Sequence, residues 1–341
     1  MGYLLVLFCN IAVHVIRGVG SLSVGRDVFT SEMGPMVGRE SMMNAMFQWR
    51  KTMGHGRSMA KVWAGLSAAA VMGLAATASA QETAEDTSDR GYRVSTVAEL
   101  GFNSPVYHKI QFGRDGTYFD YVEEGGQDVL FPFMRLSVEA KFGGRHNVVF
   151  LYQPLDVQTE VLTEREVVAD GAVFAEETPL NLRYGFSFYR ASYMFDLIKS
   201  ERTELGVGAS LQIRNATISF ESGDGTLRRV RRDVGPVPIL KVRGRHTLEN
   251  GVWFGAEVDG FYAPGRWVNG STDTEVLGAI LDASLRAGVV VTPEIDAFLN
   301  VRYLGGGADG TSQNQAGPGD GYTKNWLNLV IVSLGFQYNL I

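Results

Sequence analysis

The chain has 341 residues, 45% of them apolar and 20% charged, a balance that excludes a disordered protein and provides for a sizeable core. Positions 1–80 hold seven basic and three acidic residues, which leaves 24 Lys and Arg against 34 Asp and Glu beyond them, a charge of about −10 that argues against a nucleic-acid partner. No apolar run reaches the ~20 residues of a membrane helix, and the single cysteine, Cys9, allows no disulfide framework or cysteine metal site downstream.

Met59–Ala80 reads as a secretory signal, with Lys61 as its positive charge, Val62–Leu74 as the apolar centre and Ala78-Ser79-Ala80 as the cleavage site. Cleavage is expected before Gln81. Residues 1–58 then stand upstream of a signal that normally comes first, so Met59 or Met53 is expected to be the start and 1–58 to be absent from the mature protein. Gln81–Arg90 is polar and acidic, a flexible leader. Residues 91–341 carry the fold.

Strand-like alternation begins at Tyr92, with Val94, Thr96, Ala98 and Leu100 against Arg93, Ser95 and Glu99. Asn103–Asp128 is mixed. Its two strand-like pieces, Val106–Phe112 and Thr117–Val122, flank the turn signal Arg114-Asp115-Gly116 and suit a small hairpin in an outer loop, or else two more wall strands. Leu130–Phe142 places Leu136, Val138, Ala140 and Phe142 opposite Arg135, Ser137, Glu139 and Lys141. A turn at Gly143–His146 leads to Asn147–Glu160, where Pro154 implies a bulge or irregular point, and Val161–Pro179 is an acidic loop.

Leu180–Leu197 shows Leu182, Tyr184, Phe186 and Phe188 on one face, then a parity slip near Tyr189-Arg190 that suggests a bulge. Glu204–Phe220 alternates Leu205, Val207, Ala209, Leu211 and Ile213 against Gln212 and Arg214. After a loop at Glu221–Arg232, Val237–Tyr262 forms a hairpin turning at Glu249–Gly251, whose register sets Arg243 across from Glu257 and Lys241 across from Asp259. Leu277–Val291 and Ile295–Leu304 form the next pair, a Gly-rich loop covers Gly305–Lys324, and Trp326–Leu340 is the last strand.

Three patterns point to an all-β fold: a closed, antiparallel, up-and-down transmembrane β-barrel of about ten strands, or twelve if Val106–Val122 contributes two. Short turns alternate with loops of roughly ten to twenty-six residues, the asymmetry of short periplasmic turns and long outer loops. Aromatic residues of the apolar parity gather near strand ends, Phe142, Phe195, Phe254, Phe336 and Tyr338 at one end and Phe220, Tyr262 and Tyr303 at the other. The opposite parity carries charge on strand after strand. The signal segment and the terminal strand Phe336-Gln337-Tyr338-Asn339-Leu340-Ile341 resemble those of the bacterial outer-membrane β-barrel class, especially its small, porin-like members. That resemblance implies residence in outer-membrane lipid and recognition of the last strand by the barrel-assembly machinery, and no particular activity.

The expected lumen charges are Glu99, Arg135, Glu139, Lys141, Asp156, Arg183, Arg190, Arg214, Lys241, Arg243, Arg245, Glu257, Asp259, Asp282, Arg286, Asp296 and Arg302. They suit either an ion-selective path or a cross-linked interior that holds a narrow barrel closed. Of the histidines beyond residue 80, only His108, with Asp115 and Asp120 near it in sequence, suits a general base at the outer rim. No Gly-x-Ser-x-Gly sequence or metal-ligand cluster accompanies it, and the Asp309–Asp320 spacing matches no calcium loop. No cofactor is implied. The expected function is a non-catalytic outer-membrane barrel, structural or a narrow solute path with a charge-paired lumen; the alternative is an outer-membrane enzyme acting on lipid or peptide.

Overall fold

The computed structural model describes residues 91–264, 277–311 and 319–340, so the expected signal segment, the residues before it and the expected leader Gln81–Arg90 lie outside the described residues. The described residues form fourteen strands: β1 Tyr92–Phe112, β2 Phe119–Asp120, β3 Phe131–Phe142, β4 His146–Gln153, β5 Asp156–Leu162, β6 Val167–Ala169, β7 Ala172–Phe174, β8 Pro179–Lys199, β9 Thr203–Ser222, β10 Arg228–Thr247, β11 Val252–Pro264, β12 Leu277–Val290, β13 Ile295–Thr311 and β14 Tyr322–Asn339. The wall runs antiparallel in the order β1-β3-β4-β8-β9-β10-β11-β12-β13-β14, with β5 also on β8, and β1 closes on β14 from Ser95↔Asn339 to Phe112↔Thr323.

Ten strands make the barrel, because β4 and β5 are two halves of one. Both pair with β8 in a single unbroken register, Gln153↔Phe188 and Asp156↔Gly185, so Pro154 interrupts the ladder without shifting it. The twelve-strand alternative fails because Val106–Phe112 is the upper part of β1. A bulge between Pro105 and Tyr107 carries the chain onward, and only the short β2 folds back, pairing Ile110 with Phe119.

The outward face is apolar. Leu100, Phe150, Leu211, Leu240, Leu281, Leu285 and Leu299 are all exposed, an apolar belt too large for a water-facing surface. Closure leaves the ladder no free edge, which is what a lipid environment demands of strands. Exposed Tyr92, Phe142, Tyr193, Phe254 and Phe336 ring the short-turn end, and Phe102, Tyr107, Tyr189, Tyr262 and Tyr303 the other. Beyond the β1 bulge the outward positions become Lys109 and Gln111, so the membrane-spanning part of β1 ends near Tyr107.

Four expectations need correction. The parity slip at Tyr189-Arg190 does not exist: every even residue from Leu180 to Asp196 is buried inside, and the one register shift lies between Asp196 and Ile198. What changes at Arg190 is the chemistry of the interior, apolar above and charged below. For the same reason Phe220 is no girdle residue; it packs inside the outer mouth. The glycine loop shrinks, since Gly305–Thr311 pair with Tyr322–Asn328 through backbone bonds that need no side-chain alternation. The loop at Glu221–Arg232 reduces to residues 223–227.

The acidic loop contains its own hairpin, β6–β7, turned by Asp170-Gly171 with both φ angles positive (46° and 74°), the two-residue turn that this dipeptide favours. This hairpin and the segment from Phe119 to Gln127 fold into the outer mouth. There Phe174 and Tyr121 are fully buried against Phe220, with ring centroids 6.5 and 5.9 Å away. Arg231 of β10 binds Asp170 and Arg165 binds Glu124 at 2.8 Å, tying the cap to the wall and to itself.

Candidate functional site

The period of two that turns Leu211 and Leu281 outward turns their neighbours into the lumen, where the wall's curvature brings distant strands together. At mid-height Arg302 of β13 binds Asp282 of β12 and reaches Gln153 of β4 at 2.8 Å. Arg190 of β8 binds Asp259 of β11, and Asp282 at 3.0 Å, while its Nε and one terminal nitrogen donate to Gln212 at 2.9 and 2.7 Å. Arg135 of β3 joins Glu99 at 3.3 Å to Glu257 at 3.2 Å on the facing wall. Glu99 also accepts from Asn300 at 2.7 Å and Ser333 at 3.0 Å, with Arg286 3.6 Å away. Lys241 sits between Glu257 at 2.7 Å and Asp259 at 3.1 Å.

Nearer the short turns, Arg243 makes a two-pronged bond to Glu139, both prongs 2.6 Å. Lys141 bridges Asp196 and Glu204, each at 2.7 Å, and Arg245 binds Asp296 at 2.8 Å beneath a Trp253 ring 4.1 Å away. Cations and carboxylates balance across this layer among the described residues: Arg135, Lys141, Arg190, Lys241, Arg243, Arg245, Arg286 and Arg302 against Glu99, Glu139, Asp196, Glu204, Glu257, Asp259, Asp282 and Asp296. Arg302, Asp259, Gln212 and Asn300 have 2% exposure or less, so the mid-section is filled. A cavity of about 100 Å³ remains among Arg135, Glu139, Lys241 and Arg286.

Two expected lumen residues stand elsewhere, and a third lies in the lumen but outside the charge layer. Arg183 and Asp156 lie on the outward parity above the belt and bind each other at 2.8 Å, because β8 keeps one parity where a slip was expected. Arg214 does face inward, but it lies above the charge layer and bonds to Asp233 at 3.1 Å. The register Arg243↔Glu257 is present, yet Arg243 turns to Glu139 and leaves Glu257 to Lys241 and Arg135. Asp196 and Glu204, which sequence reasoning omitted, belong to the layer; Asp196 stands on the inward parity that follows from an unbroken β8.

His108 lies beyond the membrane-spanning part of β1, under the cap. It is fully buried, stacked on Tyr121 and edge-on to Tyr184, with both centroids 4.3 Å away, and Nδ1 lies 2.7 Å from Gln127 Oε1. Burial holds its imidazole down at about 4. Asp120 turns to Lys109 at 2.9 Å and Asp115 is exposed, so the three groups do not converge.

No family model matches the chain, and no curated protein matches it. Among solved structures, the outer membrane protease OmpT from Escherichia coli is similar at 13% identity over 76% of this chain and 99% of its own, with a TM-score of 0.42. Neisserial surface protein A is 13% identical over 73% and 96%, at 0.27, and Ail of Yersinia pestis is 10% identical over 72% and 99%, at 0.30. None of these scores lends the chain an activity. Its own geometry, ten closed antiparallel strands with an apolar belt between aromatic girdles and a charged interior, is that of a transmembrane barrel.

Proposed function

We propose that the protein is a non-catalytic barrel whose lumen is closed to ions and polar solutes. The observation that carries this reading is the layer in which Arg302, Arg190 and Arg135 each reach across the lumen to groups on other walls. An ion entering that layer must displace a guanidinium from a carboxylate in a poorly hydrated space, where breaking a pair costs about 3–5 kcal/mol. The apolar cap over the outer mouth adds a second barrier. The burial of His108 beneath Tyr121 takes away the general base on which the enzyme alternative rested. Planar-bilayer recording tests the proposal. Wild type is expected to hold a flat baseline, and Arg135→Ala with Arg302→Ala a flickering leak. Stable, porin-sized steps from wild type would defeat it.

A further inference from the structure

Above the charge layer and beside the cap, the barrel holds a cavity of about 220 Å³ walled by Phe186, Phe188, Ile280, Leu304, Leu327 and Pro238. An apolar cavity of ~150 Å³ already takes a benzene-sized molecule, so this one has room for a ring or a folded aliphatic chain. Its polar edge comes from β9, where Gln212 and Arg214 stand two residues apart on the inward face. Gln212 is fully buried, and its oxygen accepts twice from Arg190, a residue that has only donors. The group left over is therefore the amide NH2, and it has no partner. The buried Nε–H of Arg214 has none either, although its terminal nitrogen bonds to Asp233. Two N–H donors at the edge of an apolar chamber lack an acceptor, and a buried donor without one is costly.

The chamber also adjoins the lipid. Among the described residues the β10–β11 ladder ends at Leu240↔Gly260; above it β10 pairs there only with β9, and β11 only with β12. Pro236 and Pro238 lie in that unpaired stretch of β10. Opposite Ile213 and Leu211 of β9 they fit only non-hydrogen-bonded pairs, so the N–H groups that they lack are those that would have met β11. On the outer wall at this level a groove runs past Tyr262, Leu281 and Trp326, and it shares Phe261, Ala279, Ile280, Gly305 and Gly306 with the chamber. These shared residues form the wall between the two.

We infer that this chamber is a binding site for a single-chain aliphatic carboxylate that enters from the outer leaflet between β10 and β11. The tail fills the apolar chamber, and the carboxylate accepts from Gln212 and Arg214, where a guanidinium favours an anion over a neutral oxygen. The site is independent of conduction through the lumen, so a flat bilayer trace says nothing against it.

The test is uptake of radiolabelled decanoate by the full chain in lipid nanodiscs, with empty discs subtracted and decane run in parallel. Expected are one saturable decanoate site per chain, although disc lipid is in excess, and at least tenfold weaker uptake in Ile280→Trp, whose indole fills the chamber. Ile280→Phe serves if the larger residue prevents insertion. Gln212→Leu is expected to weaken decanoate about tenfold while leaving decane within twofold. A cysteine at Ala263 is expected to react with a lipid-dissolved alkyl maleimide and to be protected by decanoate. Absence of saturable uptake, or wild-type uptake by both Ile280 variants, would overturn the site. Equal losses of decanoate and decane in Gln212→Leu would overturn the carboxylate assignment, and a cysteine at 263 indifferent to decanoate would overturn the route.

Discussion

Arg243 stands opposite Glu257 in the β10–β11 ladder, yet both of its terminal nitrogens bond to Glu139 of β3, across the lumen. Ladder register decides which residues are adjacent, while closure of the wall decides which are within reach. Their side chains are 21% and 19% exposed, between the wet pair worth ~0–1 kcal/mol and the dry one whose disruption costs ~3–5 kcal/mol.

A double-mutant cycle on Arg243 and Glu139 is therefore expected to give a coupling of about 1–3 kcal/mol in urea unfolding. The cycle on Arg243 and Glu257 is expected to give less than half of that. A larger coupling to Glu257 would mean that the ladder neighbour, and not the facing wall, holds the guanidinium.

Leu211 and Leu281 project into the belt with 51% and 45% exposure, while Ser284 projects inward with 4%. Arg at either leucine is expected to cost about 2–4 kcal/mol near mid-depth. Single cysteines should separate the faces more sharply, because the described residues contain no native cysteine. At Leu281 a lipid-soluble maleimide is expected to react and a water-soluble one to fail; at Ser284 the lipid-soluble reagent is expected to fail. Equal labelling at both positions would contradict the two-faced wall.

The wall was legible because a strand's period of two shows in every segment whose two faces differ in polarity. That signal misleads where the polarity inverts, as it does above the belt, where Asn181, Arg183 and Ser187 face outward and Leu182, Tyr184 and Phe186 face the interior. Leu180–Phe188 reads as lipid-facing on the rule that apolar means outward, and applying the rule produced a false bulge and placed Arg183 inside. In fact the outer half of the lumen is lined with apolar residues because a cap of protein covers it and packs against them. Asp170-Gly171 between Val167–Ala169 and Ala172–Phe174 was a sufficient hairpin signal, hidden by the acidity of the surrounding loop. Gly305–Gly307 have no side chains to alternate, so only pairing could reveal them as strand. The facing-wall bonds of Arg135, Arg243 and Arg302 depend on curvature, which a linear sequence does not display.

His108 gives the cap a defined acid sensitivity. Its folded value of about 4 lies below the 6.5 of a free imidazole, so an opened cap binds a proton more readily than the closed one. The stabilisation is complete above pH 6.5 and declines as pH falls toward 4, by about 1.4 kcal/mol per unit and about 3 kcal/mol in all. Near-UV circular dichroism of the Tyr121–Tyr184 cluster is expected to fade over that interval in wild type and to hold in His108→Phe. The same acid midpoint in both proteins would remove His108 as the cause.

Asp282 is shared by Arg302 and Arg190, whereas Arg190 also holds Asp259, and among the described residues Arg302 bonds besides only to Gln153. This unequal sharing predicts unequal costs. Asp282→Leu strands the guanidinium of Arg302 in a dry layer with one neutral acceptor, and is expected to cost about 3–5 kcal/mol. Arg302→Met leaves Asp282 paired with Arg190, and is expected to cost about 1–3 kcal/mol, the penalty of a partly unsatisfied buried group. In the double variant neither charge remains, Arg190 keeps Asp259, and two apolar side chains fill the space. Its cost is expected to fall below that of Asp282→Leu alone, since apolar replacement of a buried ion pair is often neutral. Urea unfolding of the three variants in one detergent decides it, and strictly additive costs would show that Arg302 is hydrated in the folded barrel.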